Sequence, residues 1–227
     1  MPQAKEIKGR IASVSNTQKI TNAMYLISST KLKKAKEGLA KTRPYFEMQE
    51  REIKRIFQSR HDIESRYFYP VTGRKEAEVY SYLVITADKG LAGAYNFNVI
   101  RKVEAELKEH KDFKLYVVGE YGRRYFRKHN IPIEQSFLYT AQNPTLQRAR
   151  EICTIMLGEY DEGKVDAIRI IYSDMESDLL SEVKAETLLP FERKPFLTPE
   201  EKKSDRDINY KFTPSVTRCL TAQCPDT

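Results

Sequence analysis

The chain has 227 residues, enough for one medium domain with an extension, and 40% apolar against 31% charged residues describes a globular protein with a large exposed area. No apolar run is long enough to span a bilayer, the longest lying near residues 82–85, and no apolar secretory segment opens the chain. The net charge of +7 is unevenly placed: residues 1–60 carry 14 Lys+Arg and 5 Asp+Glu, a net of +9, while the remaining 167 residues carry 25 and 27, a net of −2.

The first segment is a cationic arm. Residues 7–36 (IKGRIASVSNTQKITNAMYLISSTKLKKAK) hold seven Lys or Arg and no Asp or Glu, and only Gly9 interrupts their helix-compatible sequence. An alternating step of four and three residues from Ile7 passes through Ile11, Val14, Gln18, Thr21, Tyr25, Ser28, Leu32, Ala35, Leu39, Thr42, Phe46, Gln49, Ile53 and Ile56. Ten of these fifteen positions are apolar, a 3.5-residue period that predicts a coiled-coil seam on a helix over about 4–56. Ile20, Met24 and Ile27 form a flanking stripe. Such a helix is about 80 Å long and must project from a domain of this size. Pro44 falls inside the seam and is expected to kink the helix near Thr42 rather than end it. The middle of the seam (Gln18, Thr21, Ser28) is small and polar, which suits a helix that moves against its surroundings better than one in a dry core. The alternative is an amphipathic helix on its own domain with a solvated basic face.

After Ser65 the pattern changes. Residues 80–86 (YSYLVIT) read as a buried strand, 87–95 (ADKGLAGAY) as a glycine-containing turn, and 97–110 as a helix with Val99, Ile100, Val103 and Leu107 on one face. A strand at 114–118, a short helix at 119–128, a helix at 145–160, a strand at 165–172 and a fourth strand at 181–189 follow. Residues 66–78 and 173–180 read as polar connections, and 191–209 as a charged surface segment. Strands alternating with helices predict an α/β fold, a three-layer Rossmann-like sandwich following the long helix.

Signs of catalysis are missing from the sequence. Gly90 and Gly93 lack a third glycine at dinucleotide spacing, and no Lys-Ser/Thr pair closes a phosphate loop. His61, His110 and His129 lie far apart among polar residues and read as surface side chains rather than ligands. Cys153, Cys219 and Cys224 have no ligand spacing, and their odd number suits a reducing compartment. No catalytic residue, cofactor or metal is expected.

Two runs carry a family resemblance. The segment 4–35, with Gln18-Lys19-Ile20-Thr21 and Ala23-Met24 at its centre, resembles the N-terminal helix of the gamma subunit of F-type ATP synthase. The run TADKGLAGAYN, at Asp88, Lys89, Gly90, Leu91, Gly93 and Asn96, looks like that family's second signature, and Thr42-Arg43-Pro44-Tyr45 is similar to a stretch where the family's helix continues through the proline.

The resemblance implies a rotary central stalk that couples ion flow through the c-subunit ring to conformational change at the catalytic beta subunits. The implied partners are the alpha and beta subunits, the epsilon subunit and the c ring, at the cytoplasmic face of a bacterial cell membrane, peripheral and touching the bilayer only through the c ring. Gln18, Lys19, Thr21, Met24, Lys31, Lys33, Lys34 and Lys36 are implied to meet the catalytic ring. Asp88, Lys89, Gly90, Gly93 and Asn96 are implied to form a structured turn of the foot, and Lys203, Asp205 and Tyr210 to face the c ring or epsilon. Asn22 stands where most family members carry a basic residue.

The expected division is a shaft helix at 1–60, an α/β foot at 66–212 and a divergent tail at 213–227. The family's second, C-terminal shaft helix has no counterpart in that tail, so a truncated gamma-like copy without rotary function is the first alternative. A basic-arm nucleic-acid binder and a membrane-surface amphipathic helix are the others, although the arm lacks the aromatic interleaving of single-strand binders. A seam without a partner in its own chain is expected to drive self-association of the isolated protein. Sedimentation velocity checks this: oligomers should grow with concentration, and a clean monomer at high concentration contradicts it.

Overall fold

The computed structural model describes residues 2–59, 67, 78–138, 141, 144–175, 177 and 180–191. They fall into two units, a helix and an α/β body drawn from residues 62–200.

Helix α1 runs without interruption over Pro2–Ser59, passing through Pro44. No stop occurs at the proline. Side-chain pairs support the helix, Arg10 with Glu6 at 2.9 Å and Gln49, which donates to the Tyr45 hydroxyl at 2.8 Å, whereas Thr17, Thr21, Thr30 and Thr42 bond back to the carbonyls four residues before them, which slightly weakens a helix. Such pairs contribute only about 0.2–0.5 kcal/mol each. An internal proline costs about 3 kcal/mol and each internal glycine about 1. Burial does not offset this within the unit, because Ile7, Ile11, Val14, Tyr25, Leu32, Leu39 and Phe46 are all exposed.

The body is built on a five-stranded sheet. Its elements are β1 (Val79–Ile85), α2 (Tyr95–Glu109), β2 (Asp112–Val118), α3 (Glu120–Lys128), β3 (Gln135–Phe137), α4 (Leu146–Asp161), β4 (Ala167–Met175) and β5 (Ser181–Leu189). The strand order is β3-β2-β1-β4-β5, with the first four parallel and β5 antiparallel to β4. The sheet is therefore mixed, with β1 at its centre. Alternate residues of each strand feed opposite faces. On one face Tyr82, Val84, Leu115, Val117 and Ile171 pack with Val99, Ile100 and Val103 of α2 and Phe126 of α3. On the other, Leu83, Tyr116, Val118, Phe137 and Ile168 pack with Ile152, Met156 and Tyr160 of α4. These are the three expected layers.

Three expectations need correction. The sheet has five strands, not four: β3 is three residues long and leaves no periodic signal. The segment 173–175, taken as connection, extends β4 and pairs with β5, where Lys184 bonds Asp174 at 2.6 Å. His110 is not a simple surface residue. It ends α2, lies tilted against Tyr80 with ring centroids 3.8 Å apart and shares a 2.6 Å hydrogen bond with the buried Tyr82 hydroxyl. His129 is exposed as expected, stacked on Tyr125, while His61, Cys219 and Cys224 lie outside the described residues.

A buried ion pair ties α2 to the sheet: Glu106 binds Arg169 of β4 and, at 3.1 Å, Lys102 one turn away. Strand β5 is the outer strand of the described sheet, and Glu182, Lys184 and Glu186 alternate along it.

Among the described glycines, the closest approach is at Gly119. Its φ of 97° is in the left-handed region, and a Cβ there would sit 2.3 Å from the Thr86 carbonyl oxygen. A Gly119→Ala change therefore combines backbone strain with a clash against main chain. We expect it to destabilise the body by about 3 kcal/mol in chemical denaturation, with the slope of the transition unchanged. A loss under about 1 kcal/mol would show that the strand ends yield more readily than this geometry indicates.

Candidate functional site

The arm's candidate residues encircle α1. At about 100° per residue, Gln18, Thr21 and Lys36 fall on the side of Val14, Tyr25 and Leu32. Met24, Lys31 and Lys34 fall on a second side with Ile20 and Ile27, and Lys19 and Lys33 on a third with Leu26. All are exposed except Lys36, which is half-buried, and Met24 is 47% exposed. The Thr21 hydroxyl donates to the Thr17 carbonyl at 2.9 Å, so its polar atom is already engaged along the helix. The four clustered lysines do not share one face: Lys31 and Lys34 are neighbours, and Lys33 and Lys36 are neighbours on the far side. Leu26 and Tyr25 add exposed apolar surface away from the flanking stripe. A helix lying on a flat surface needs one basic and one apolar face. This one presents mixed surface all round, as a helix enclosed by its surroundings would.

The body's candidate site is the turn at the carboxyl end of β1, the strand beside which the chain order reverses. Three side chains stitch it. The buried Thr86 hydroxyl donates to the Val118 carbonyl at 2.9 Å and accepts from the Gly122 amide at 3.0 Å, joining β1, β2 and α3. The Asp88 carboxylate accepts from the Glu120 amide at 3.2 Å, at the start of α3, where a negative charge is favoured. The buried Asn96 carboxamide accepts from the Ala87 amide at 2.9 Å and donates to the Lys89 carbonyl at 3.5 Å, closing the loop on itself. Glu120 sits next to this frame and binds Arg123 and Arg124, whose hydrogen bonds hold its carboxyl down at about 2.

The turn pushes Leu91 outward. This residue is 95% exposed and has a φ of 59°, left-handed backbone that costs a branched side chain about 1 kcal/mol or more. Gly93 (φ 55°) needs its freedom, whereas Gly90 has open space and no left-handed φ, so nothing in its surroundings demands glycine. Thus Asp88, Asn96 and the backbone of Lys89 come together, Gly93 shapes the turn, and Gly90 is a bystander to its geometry. Thr86, Gly119 and Gly122 were missed as a group, and Leu91, named within the signature run, was given no outward position. Only a glycine directly after the strand at 114–118 signalled the close approach. Lys203, Asp205 and Tyr210 lie outside the described residues.

No group of metal-ligating side chains occurs among the described residues, and no helix there is long and apolar enough to cross a membrane. The features that stand out are a mixed-surface helix and a hydrogen-bonded loop with an outward leucine. A family model described as ATP synthase matches residues 3–227, a range that includes 213–227. The ATP synthase gamma chain of Ruminiclostridium cellulolyticum is 39% identical over 225 residues, covering 97% of this chain and 76% of that protein. That of Caldanaerobacter subterraneus subsp. tengcongensis is 40% identical over 93% of this chain and 74% of that protein. The chain belongs to the ATP synthase gamma-chain family. Among solved structures, the central stalk and c ring of Tetrahymena thermophila mitochondrial ATP synthase has a likeness with a TM-score of 0.46 at 23% identity, covering 62% of this chain and 66% of that one.

Replacing Asn96 with Ala removes both bonds that close the loop. Amide hydrogen exchange across 87–95 should then speed up by at least about tenfold, since roughly 1–3 kcal/mol of local stability is lost. Gly90→Ala should leave exchange within about twofold of the parent. Equal behaviour of the two variants would mean that the amide does not hold the turn.

Proposed function

We propose that this chain is the gamma-type central-stalk subunit of an F-type ATP synthase, with α1 as part of the shaft and the α/β body as the foot. The observation that carries this is the relationship to gamma chains over helix and body together. The surface of α1 supports it: cationic, apolar and small polar residues on every side suit rotation inside a ring of subunits. Ion flow through the c ring would turn the stalk, and the turning helix would favour a different conformation of each catalytic beta subunit at each angle. Such coupling needs differential contact and no covalent chemistry from this chain.

On this reading Gln18, Lys19, Thr21 and Met24, with Lys31, Lys33, Lys34 and Lys36, meet the alpha and beta subunits. The turn of Asp88, Lys89, Gly90, Gly93 and Asn96 is a rigid contact point of the foot. Lys203, Asp205 and Tyr210 would face the c ring or epsilon subunit. The shaft would occupy 1–60 and the foot 66–212, with 213–227 a separate tail. The protein would be peripheral at the cytoplasmic face of a bacterial membrane, reaching it through the c ring. Family membership disfavours the nucleic-acid and membrane-surface alternatives.

Co-expression with bacterial alpha and beta subunits tests the proposal. A tagged chain should recover the hexameric head, and failure to recover it at any salt concentration would remove the central-stalk assignment. Changing Lys31, Lys33, Lys34 and Lys36 together to Gln should weaken recovery by about 30-fold at low salt, from roughly 0.5 kcal/mol per exposed pair. The difference should shrink near 0.5 M salt, where screening shortens to a few ångströms. A salt-independent effect would assign the lysines a packing role.

A further inference from the structure

Helix α1 has one place where several helix-weakening features coincide. Gly38 has no side chain and nothing within 4 Å of its would-be Cβ. The Thr42 hydroxyl donates to the Gly38 carbonyl at 3.1 Å, loading an acceptor that the Thr42 amide also uses in a regular helix. Pro44 has no N–H, so the Ala40 carbonyl lacks its usual partner four residues on, and the proline ring crowds that same turn. Arg43, preceding the proline, is biased away from helical backbone. These features occupy seven consecutive residues. Packing within the unit does not brace them, since Leu39, Tyr45 and Phe46 are exposed. Beyond the segment the helix is reinforced again by the bond from Gln49 to Tyr45.

We infer that residues 38–44 are a hinge built into α1, about which the stretch before Gly38 bends relative to the stretch after Pro44. The helix stays hydrogen-bonded on both sides and concentrates its compliance in this one segment. If α1 serves as a shaft, the hinge lets its two ends follow different axes. The inference rests on the helix alone, so its test does not depend on the recovery of a hexameric head.

The test is distance measurement by pulsed electron paramagnetic resonance on the full chain, with Cys153, Cys219 and Cys224 changed to Ser and labelled chain diluted in unlabelled. Spin labels at Ser29→Cys and Met48→Cys straddle the segment. Labels at Arg10→Cys and Ser29→Cys do not, and both pairs are 19 residues apart, about 28 Å on a straight helix. The straddling pair should give a distribution at least about twice as broad as the control pair, with a shorter mean. In Gly38→Ala/Pro44→Ala, changes that favour helix, the straddling distribution should narrow to the control width. Equal widths in the parent chain, or a straddling distribution unchanged by the double substitution, would overturn the hinge.

Discussion

Isolated helices draw little stability from propensity; tertiary burial of an apolar stripe supplies most of it. Helix α1 has 58 residues and an apolar seam, whose large apolar members from Ile7 to Phe46 are exposed. That unmet requirement organises the molecule. The mixed surface discourages a flat bed, and a seam left uncovered is what drives isolated copies together. On the proposed reading, a socket that touches every side of the helix meets that requirement.

The body solves a different problem, holding one turn rigid at the end of a central strand. Thr86 does most of this by accepting and donating at once, which brings the ends of β1 and β2 and the first turn of α3 so close that only glycine fits at Gly119. Asp88 and Asn96 then fix the loop from either side. The result is an exposed leucine in a costly backbone conformation. Buried polar side chains such as Thr86 and Asn96, each donating and accepting, achieve this more specifically than apolar packing would.

Much of this was legible in the chain itself. The 3.5-residue seam and scarcity of breakers announced α1, and the β-branched and aromatic runs at 80–86 and 165–172 announced β1 and β4. What escaped had physical reasons. Strand β3 is too short to show a period. His110 has polar sequence neighbours, and its aromatic partners Tyr80 and Tyr82 arrive from another element about 30 residues earlier. The role of Thr86 depends on glycines more than 30 residues away. Pro44 gave a partial answer: the helix does continue, but its weakness is shared with Gly38 and Thr42. The distribution of the lysines around α1 was available from spacing alone, yet counting charge concealed it.

The alternation of charge along β5 also bears on how the body behaves at high concentration. A nine-residue strand at the rim of a sheet offers main-chain donors and acceptors to any similar strand it meets. Glu182, Lys184 and Glu186 stand along that rim, with Lys184 already engaged by Asp174 of the neighbouring strand. A second chain adding itself in register would bring glutamates together and strip water from them. The rim thus carries its own deterrent against runaway strand-on-strand stacking into fibrils.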